Sequence, residues 1–252
     1  MTVDRELSHD DALHTDWDNA REPALTVPSG TTIRFDCLND SGPHITPETR
    51  SADLPDREFV GHHLTGPVAV EGAEPSDVLQ VEILDVAHDD WGYTLIRRGE
   101  VGAGLFPGEF PDPFLYHWDL GDGVAPFENG IEVPLDPFPG VVGVAPAEPG
   151  THDTGPPRDV GGNVDVKHLT AGSTVYLPVA VEGGLFSIGD GHAAQGDGEV
   201  CVSAIETPTE ITARLTLRED LDIERPQFES TGPFRPIFGS LNTQIEDMRQ
   251  LF

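Results

Sequence analysis

Side chains that bind metals or move protons are concentrated between Gly161 and Glu206, interleaved with nine glycines up to Gly198. Aspartate, glutamate and histidine supply metal ligands and general acids and bases, and glycine lets a backbone approach a ligand closely. A packed strand alone does not need this mixture, so the stretch is the predicted site. Its polar members are Asn163, Asp165, His168, Asp190, His192, Gln195, Asp197 and Glu199.

A histidine with two or more carboxylates suits a divalent cation that keeps an open coordination position. Such a cation polarises a carbonyl or lowers the pKa of bound water to about 7, and another carboxylate can take the proton of that water. The set therefore indicates metal-assisted hydrolysis. The spacing from Asp190 through His192 to Glu199 is not specific, so a glycine-rich turn with solvated acids stays an open alternative. The chain has no G-x-S-x-G elbow, P-loop or H-E-x-x-H motif, and the stretch does not match an EF-hand loop.

Strands on both sides must position these side chains. The segment TVYLPVAV predicts a strand, and because Pro178 cannot donate to a sheet ladder we expect an edge strand or a bulge. A short strand, LFSI, leads into a predicted loop at 189–199, which returns into a predicted strand at 200–205. Asn163 and Asp165 precede the edge strand, so they can meet the loop side chains at one end of the sheet.

Alternation of apolar and polar residues predicts strands through most of the remaining chain. We expect Pro67–Val70 and Val78–Val86 to form a hairpin, and the Gly- and Pro-rich residues 138–160 to form a loop. His44, His62 and His63 lie in a long predicted loop, where a histidine is more often a surface residue than a ligand. Further strands are predicted at 24–27, 31–38, 91–97, 114–120, 130–138 and 211–217, and loops at 39–66 and 99–114.

The fold class that follows is mainly β, with β-sandwich-like packed sheets, long Gly/Pro-rich loops and a short C-terminal helix. Helical spacing is clear only for Leu241, Ile245, Met248 and Leu251. The hexapeptide PVAVEG occurs at 67–72 and again at 178–183, and we interpret it as a duplicated strand–turn unit of two packed sheets. We expect one domain over 1–252, with an N-terminal arm at 1–20 and a short divergent segment at 226–252.

The formal charge of −31 combines 14 basic with 45 acidic residues, and Lys167 is the sole lysine. This charge excludes binding to nucleic acid phosphates or an anionic membrane surface, so neither is an expected partner. The acids are spread along the chain rather than grouped in a tail, which favours adaptation to a salt-rich cell interior over a local cation-binding tail. The protein is therefore expected to be halophilic.

The cysteines, Cys37 and Cys201, are far apart in apolar segments and indicate buried thiols rather than a disulfide framework. The N-terminus has neither a basic region nor an apolar run, so no signal peptide is expected. No stretch approaches the roughly 20 apolar residues of a membrane span. A soluble, cytoplasmic protein is the expectation.

Several motifs, in order, resemble the acetamidase/formamidase family. They are HTDWDN at 14–19, TGPVAVEGAEPSDVLQVEILDV at 65–86, FPGVVGVAPAEPG at 138–150, and the run PPRDVGGNVDVKHLTAGSTVYLPVAVEGGLFSIGDGHAAQGDGEVCVSAIE that ends at Glu206. The resemblance implies a mainly β, commonly metal-bound oligomer that hydrolyses short-chain amides to the carboxylic acid and ammonia. A dimer is the expected assembly. The family usually continues with a helical segment and a final β region, so the chain is expected to be a C-terminally shortened member.

The resemblance also implies site residues. The family's G-N-x-D motif falls on Asn163 and Asp165, its G-D-x-H-x-x-Q-G-D-G-E motif on the positions from Asp190 to Glu199, and its H-x-x-W-D element on His14, Trp17 and Asp18. The hypothesis is that Asp165, Asp190 and His192 hold the cation, while Glu199 is the general base and then the acid, with Asp165 also a catalytic candidate. Substrate-binding candidates are Asn163, Gln195 and His14. Zinc is the expected metal, with calcium as the alternative.

Two other functions stay open. A catalytically inactive β-sandwich that binds a divalent cation or small ligand would hold metal without turnover. A cupin-like oxygenase or isomerase also uses histidine and carboxylates on strands, but it normally supplies at least two histidine ligands, and His192 has no evident strand-borne partner.

The charge generates a prediction about salt. At molar salt the Debye length is roughly 3 Å, so repulsion among the surface carboxylates is largely screened, and at millimolar salt it acts in full. The melting temperature should therefore fall markedly between molar and millimolar KCl, as measured by circular dichroism. Equal melting temperatures at the two concentrations would contradict salt adaptation.

Overall fold

A computed structural model describes residues 2–54, 60–97, 104–106, 108–121 and 123–230. The structure is mainly β, as predicted. The strands in these residues are β1 (Arg5–Ser8), β2 (Leu13–His14), β3 (Asp16–Trp17), β4 (Leu25–Val27), β5 (Thr31–Cys37), β6 (Leu64–Val70), β7 (Val78–His88), β8 (Trp91–Ile96), β9 (Phe114–Asp119), β10 (Val124–Pro126), β11 (Glu132–Pro134), β12 (Phe138–Gly143), β13 (His152–Asp153), β14 (Pro157–Arg158), β15 (Gly161–Asn163), β16 (Thr174–Pro178), β17 (Phe186–Ala194), β18 (Ile205–Glu206), β19 (Thr209–Arg218) and β20 (Gln227–Glu229).

Helical structure in the described residues is limited to three short 3-10 turns, at Gly42–His44, Ser51–Asp53 and Glu128–Gly130. None of them has the length or the apolar character needed to span a bilayer. The C-terminal helix predicted from Leu241 to Leu251 lies outside the described residues.

Two sheets form the body. The first has six strands in the order β1-β5-β19-β7-β16-β20. The second has ten strands: β14-β15-β12-β17-β18-β8-β9 form a continuous path, and β6 joins β17 to the short strands β2 and β4. Two further pairs, β10 with β11 and β3 with β13, lie outside these sheets.

The main core lies between the two sheets. Residues facing inward from β5, β7, β16 and β19 share one buried apolar cluster with residues from β6, β12 and β17. At its centre Phe35 of the first sheet meets Phe186 of the second edge to face, with ring centroids 5.8 Å apart. Strand β19 supplies Ile211, Ala213 and Leu215, which are fully buried, as its alternating sequence predicts. Packed sheets of this kind match the predicted sandwich-like class.

The repeated PVAVEG segments are two crossovers between the sheets. The first copy leaves β6 in one sheet and leads to β7 in the other, and the second leaves β16 in the first sheet and leads to β17 in the second. The crossovers also contact each other, since Val70 N donates to Gly183 O at 2.9 Å and Val179 N donates to Asp77 O at 2.8 Å. The duplicated unit therefore joins the two layers, and the expected hairpin between β6 and β7 is wrong because these strands belong to different sheets.

Two other local predictions were wrong where glycine obscured a strand. Residues 138–143 form β12, a neighbour of β17, rather than the start of a loop. Residues 186–194 form one continuous buried strand, β17, so Asp190 and His192 lie on a strand and not in a loop. The glycines are needed because neighbouring backbones approach closely: a Cβ on Gly189 would lie 2.5 Å from His63 O.

The remaining differences concern strand ends. Of the predicted strand at 200–205, only Ile205 lies in a strand, β18, which continues to Glu206. Strand β16 is not an edge strand, since it pairs with both β7 and β20. Pro178 ends β16, opposite Val78, at a position that β20 does not reach, so its missing N–H breaks no ladder. Cys37 and Cys201 are both free thiols, Cys37 fully buried and Cys201 partly so.

The inter-sheet aromatic pair should dominate stability. Phe186 is fully buried, so Phe186→Ala should lower the free energy of unfolding by about 3–5 kcal/mol, through lost burial and the cavity left behind. Urea unfolding in molar KCl measures this. Phe110→Ala is the matched control, because Phe110 is 48% exposed and its loss should change stability by less than about 0.5 kcal/mol. Equal effects of the two substitutions would contradict this account of the core.

Candidate active site

His192 is the centre of a buried cluster of acids. It lies on β17 with its ring against Phe138, at a centroid distance of 5.0 Å, and is 1% exposed. Its Nε2 faces Glu206 Oε2 at 3.2 Å, Asp190 Oδ2 at 3.5 Å and Glu199 Oε1 at 3.9 Å. One imidazole nitrogen therefore meets carboxylates from three residues.

The opposite nitrogen of the ring fixes its orientation. His192 Nδ1 lies 2.9 Å from Gln195 Oε1, and an amide oxygen can only accept, so Nδ1 carries a hydrogen. Gln195 Nε2 in turn donates to the backbone oxygen of Asp165 at 3.0 Å. In the neutral ring, the lone pair of Nε2 therefore points at the acids, as a metal-binding histidine requires.

The four carboxylates reach this point from separate elements. Asp190 lies on β17 itself, and Glu206 lies on β18 directly opposite His192 in the antiparallel register. Asp165 follows the short strand β15, and Glu199 lies in the turn between β17 and β18. A register shift between His192 and Ala194 interrupts the β17–β18 pairing beside the cluster, as β-bulges commonly do next to active sites.

Two overlapping sets of groups could hold a cation: Asp165, His192 and Glu199, and Asp190, His192 and Glu206. Within each set the candidate ligand atoms lie within 4.8 Å of one another. Both sets share His192, so they adjoin at its imidazole. Mixed carboxylate and imidazole donors suit zinc.

Backbone conformation in the left-handed region positions two of these acids. Asp165 has φ 44° and Asp190 has φ 58°, values that non-glycine residues seldom adopt and that cluster at functional sites. Gly140 lies directly beneath them, where its carbonyl accepts from Asp165 N at 3.1 Å. A Cβ on Gly140 would lie 2.5 Å from Asp190 Oδ2 and 2.9 Å from His192 Nε2, so only glycine fits there.

The cluster has too much negative charge to be fully ionised without a cation. Burial raises the pKa of Asp165 to about 7 and the pKa values of Glu199 and Glu206 to about 8. Burial also acts to raise the pKa of Asp190, but the attraction of His192 and His62 outweighs it and holds this pKa at about 2. Burial acts to lower the pKa of His192, yet Glu206 and Asp190 raise it well above 6.5. Without a cation, protons supply the missing positive charge.

Unpartnered oxygens test whether a cation fits. Asp165 Oδ1 and Asp190 Oδ1 are buried, and neither has a hydrogen-bond partner in the described part of the chain. Glu206 Oε2 is also buried and faces His192 Nε2 at 3.2 Å. Buried polar atoms are normally satisfied, so two carboxylate oxygens without partners beside one imidazole need an explanation. A divalent cation supplies one, and its binding would displace the protons. The residues present fit a metal ion.

The predicted substrate-binding residues differ in which of their hydrogen-bonding atoms already have a protein partner. Both amide atoms of Gln195 have protein partners, since Oε1 lies 2.9 Å from His192 Nδ1 and Nε2 donates to Asp165 O at 3.0 Å. This placement supports a role in orienting the site, and the predicted contact with substrate stays a prediction. Asn163 donates to Gly155 O at 3.1 Å, while its Oδ1 is buried without a hydrogen-bond partner among the described residues. Asn163 is therefore the one predicted substrate ligand with an unused acceptor.

His14 lies in a different environment. Its Nδ1 is 2.7 Å from Asp16 O and its Nε2 is 2.9 Å from Ser187 Oγ, so both ring nitrogens have protein partners. Burial lowers its pKa to about 4, which keeps the ring neutral. It lines a small cavity with Trp17, Asp18 and Arg21 and belongs to neither cation set, so the predicted substrate-binding role is not supported by this placement.

The glycine-rich stretch also contains acids outside the site. Asp197 has a 98% exposed side chain and pairs with Lys167 Nζ at 2.7 Å, as a surface residue does. Glu206 was not predicted as a site residue, because only its cross-strand register with His192 brings it to the cluster. The only signal in the sequence was that Glu206 is the last residue of the segment that resembles the acetamidase/formamidase family.

A second buried network adjoins the cluster. Tyr93 is opposite Glu206 in the sheet, is fully buried and donates its hydroxyl to Asp40. Arg97 donates to Asp40 Oδ2 at 2.9 Å. This network ties the segment after β5 to the strand beside Glu206. None of its members was predicted, because no local pattern marks them.

Comparisons with known proteins place the chain among amide hydrolases. The model of the Acetamidase/Formamidase family matches residues 1–152 and 147–245. A formamidase of Methylophilus methylotrophus is 30% identical over 290 aligned positions, which cover 91% of this chain and 70% of that protein. An acetamidase of Mycolicibacterium smegmatis is 29% identical over 247 positions, covering 74% of this chain and 61% of that protein.

Solved structures agree in fold. The crystal structure of a predicted acetamidase/formamidase from Thermoanaerobacter tengcongensis superposes with a TM-score of 0.83 at 29% identity, covering 90% of this chain and 73% of that one. A gamma lactamase from Delftia acidovorans superposes with a TM-score of 0.82 at 26% identity, covering 93% of this chain and 74% of that one.

The cluster predicts how stability varies with pH when metal is absent. Between pH 5 and 8 the native state keeps protons on Asp165, Glu199 and Glu206, whose pKa values of about 7, 8 and 8 lie above those of the unfolded chain. The native state then binds more protons than the unfolded state, so the free energy of unfolding should fall as pH rises. His192, with its raised pKa, acts in the same direction.

Urea unfolding of chelator-treated protein in molar KCl, measured from pH 5 to 8, tests this prediction. Glu206→Gln should make the decline shallower, because it removes one of the retained protons. Glu182→Gln, at an exposed crossover turn, is the matched control and should leave the slope as it is. A stability that rises with pH in the metal-free protein would contradict the charge distribution described above.

Proposed function

The chain belongs to the acetamidase/formamidase family, and from this we propose that it hydrolyses a short linear amide, such as formamide or acetamide, by a metal-dependent mechanism. Formamidase and acetamidase relatives support a hydrolase that acts on non-peptide C–N bonds. The observation that supports the metal dependence is that His192 Nε2 is buried among four carboxylates. Two of their oxygens, Asp165 Oδ1 and Asp190 Oδ1, lack a hydrogen-bond partner in the described residues.

Asp165, Asp190 and His192 would hold the cation, and Glu206 joins them because its Oε2 lies 3.2 Å from His192 Nε2. When bound, a divalent cation polarises an amide carbonyl and lowers the pKa of a coordinated water. Gln195 keeps the ring of His192 in the required tautomer through Nδ1. Zinc suits this donor set better than calcium, which prefers six to eight oxygen ligands.

Glu199 is the acid placed to move protons. Its side chain is 16% exposed, whereas those of Asp190 and Glu206 are 3% and 4% exposed, so among these three acids it is the one that water reaches most readily. Glu199 Oε1 would accept the proton of the attacking water and then deliver it to the amide nitrogen as the C–N bond breaks, releasing ammonia and the carboxylic acid. The raised pKa of Glu199, about 8 without a cation, suits a group that must both take and return a proton.

Asn163 would orient the substrate. Its Oδ1 can accept a hydrogen bond from the NH2 group of the amide, which has two N–H donors, while its own NH2 is held by Gly155 O. The position lies two residues before Asp165, on the same short segment that contributes to the cluster. The assembly is proposed to be a homo-oligomer, on the basis of the family resemblance alone.

Ammonia release from formamide and acetamide in molar KCl tests the proposal. Glu199→Gln should lower kcat by about 10²–10⁴-fold, because the proton acceptor is removed while the shape of the side chain is kept. Pre-treatment with a chelator should abolish activity, and added zinc should restore it.

Asp197→Asn is the matched control, since Asp197 lies in the same loop but is exposed, and this variant should keep wild-type activity. Full activity of Glu199→Gln would remove the assignment of the base. Bound metal without turnover of any short amide would favour the inactive, cation-binding alternative.

A further inference from the structure

His62 lies against the site on the side of Asp190. It is 9% exposed, and its Nε2 is 3.9 Å from Asp190 Oδ2. It is not in either set of groups that could jointly hold a cation, so its contact with the site passes through Asp190. The sequence placed His62 in a loop, where a histidine is more often a surface residue, but the structure buries it beside a candidate metal ligand.

Thr154 fixes the position of this ring. Its Oγ1 accepts the backbone N–H of His62 at 2.7 Å and lies 3.1 Å from His62 Nδ1. The preceding residue, Gly61, has φ 98°, and a Cβ there would lie 3.1 Å from Thr154 Oγ1. Backbone and side chain of His62 are therefore both held by one threonine, which follows β13.

The threonine also selects the tautomer of the ring. In one tautomer the Thr154 hydroxyl donates to Nδ1, and the hydrogen of the imidazole is on Nε2, facing the carboxylate of Asp190. In the other, Nδ1–H donates to Thr154, and the lone pair of Nε2 faces a carboxylate oxygen, which is repulsive. The first arrangement is the favourable one, because it places a donor opposite an acceptor. At 3.9 Å the N–H acts on Asp190 Oδ2 through its dipole or through one bridging water.

We propose that His62, held by Thr154, is a positioning residue that fixes the orientation of the Asp190 carboxylate beside the cation position. Asp190 Oδ2 lies 3.9 Å from His62 Nε2 and 3.5 Å from His192 Nε2, so an imidazole on each side restricts rotation of this carboxylate. The other oxygen, Oδ1, is buried and has no hydrogen-bond partner in the described part of the chain. Ligating carboxylates are commonly oriented by such outer partners. The inference rests on the proposed cation at this site.

Four variants test whether Thr154 and His62 position Asp190. For each, the dissociation constant of zinc is measured by competition with a chelator in molar KCl. His62→Leu removes the donor at similar volume, and Thr154→Val removes the hydroxyl at similar shape. Each should weaken zinc binding by about 10–100-fold. His62→Gln keeps an N–H near the position of Nε2, and Thr154→Ser keeps the hydroxyl, so both should stay within about threefold of wild type.

A second measurement separates positioning from general destabilisation. The visible absorption of the Co²⁺-loaded protein reports coordination number and symmetry, so it should change in His62→Leu and Thr154→Val and be retained in the conservative pair. His152→Leu is the matched control, because His152 is on β13 but bonds to the backbone oxygen of Glu148 at 2.8 Å. It should leave both readouts at their wild-type values.

Wild-type zinc affinity and an unchanged Co²⁺ spectrum in both His62→Leu and Thr154→Val would overturn the inference. Where His62→Leu does not fold, the Thr154→Val and Thr154→Ser pair decides it. A wild-type protein that binds neither metal would overturn both this inference and the proposed metal dependence. A wild-type protein that binds zinc but releases no ammonia would overturn only the proposed hydrolysis, and the affinities would still decide the role of His62.

Discussion

Like charges cannot share a buried space unless positive charge accompanies them, and this constraint governs the centre of the molecule. Asp165, Asp190, Glu199 and Glu206 converge on the one imidazole of His192, which alone cannot neutralise them. The surrounding backbone accepts unusual conformations to hold this arrangement, with two aspartates in the left-handed region and Gly140 beneath them. The proposed cation would therefore enter an arrangement of donors that the fold already holds, at the expense of local strain.

How far the sequence predicted this structure depends on the kind of strand. Strands with clear alternation, such as β5, β7 and β19, were predicted with nearly correct ends, because one face of each packs on the core. Strands β12 and β17 were missed or truncated, because they are buried on both faces and contain glycine where neighbouring backbones approach closely. The local composition of such strands resembles that of a loop. The need for glycine becomes evident only from the position of the neighbouring strands.

The site shows the same limit. Asp165, Asp190, His192 and Glu199 were chosen from residue type and from the family resemblance, and the structure brings them together. Glu206 and His62 were not chosen, because their relation to the site depends on strand register and on a packed threonine distant in sequence. Gln195 and His14 were predicted to bind substrate, and residue type alone could not show that each side chain has hydrogen-bond partners within the protein.

The strand order of the six-stranded sheet has a consequence for synthesis. Strand β19 lies between β5 and β7, so these two early strands have no direct ladder with each other and are joined only through residues 209–218. During translation the first part of the chain therefore exposes two unpaired strand edges until this late strand emerges from the ribosome. Pairings so distant in sequence form slowly, and exposed edges invite wrong partners. Nascent chains of this fold should depend on chaperones for longer than their size alone suggests.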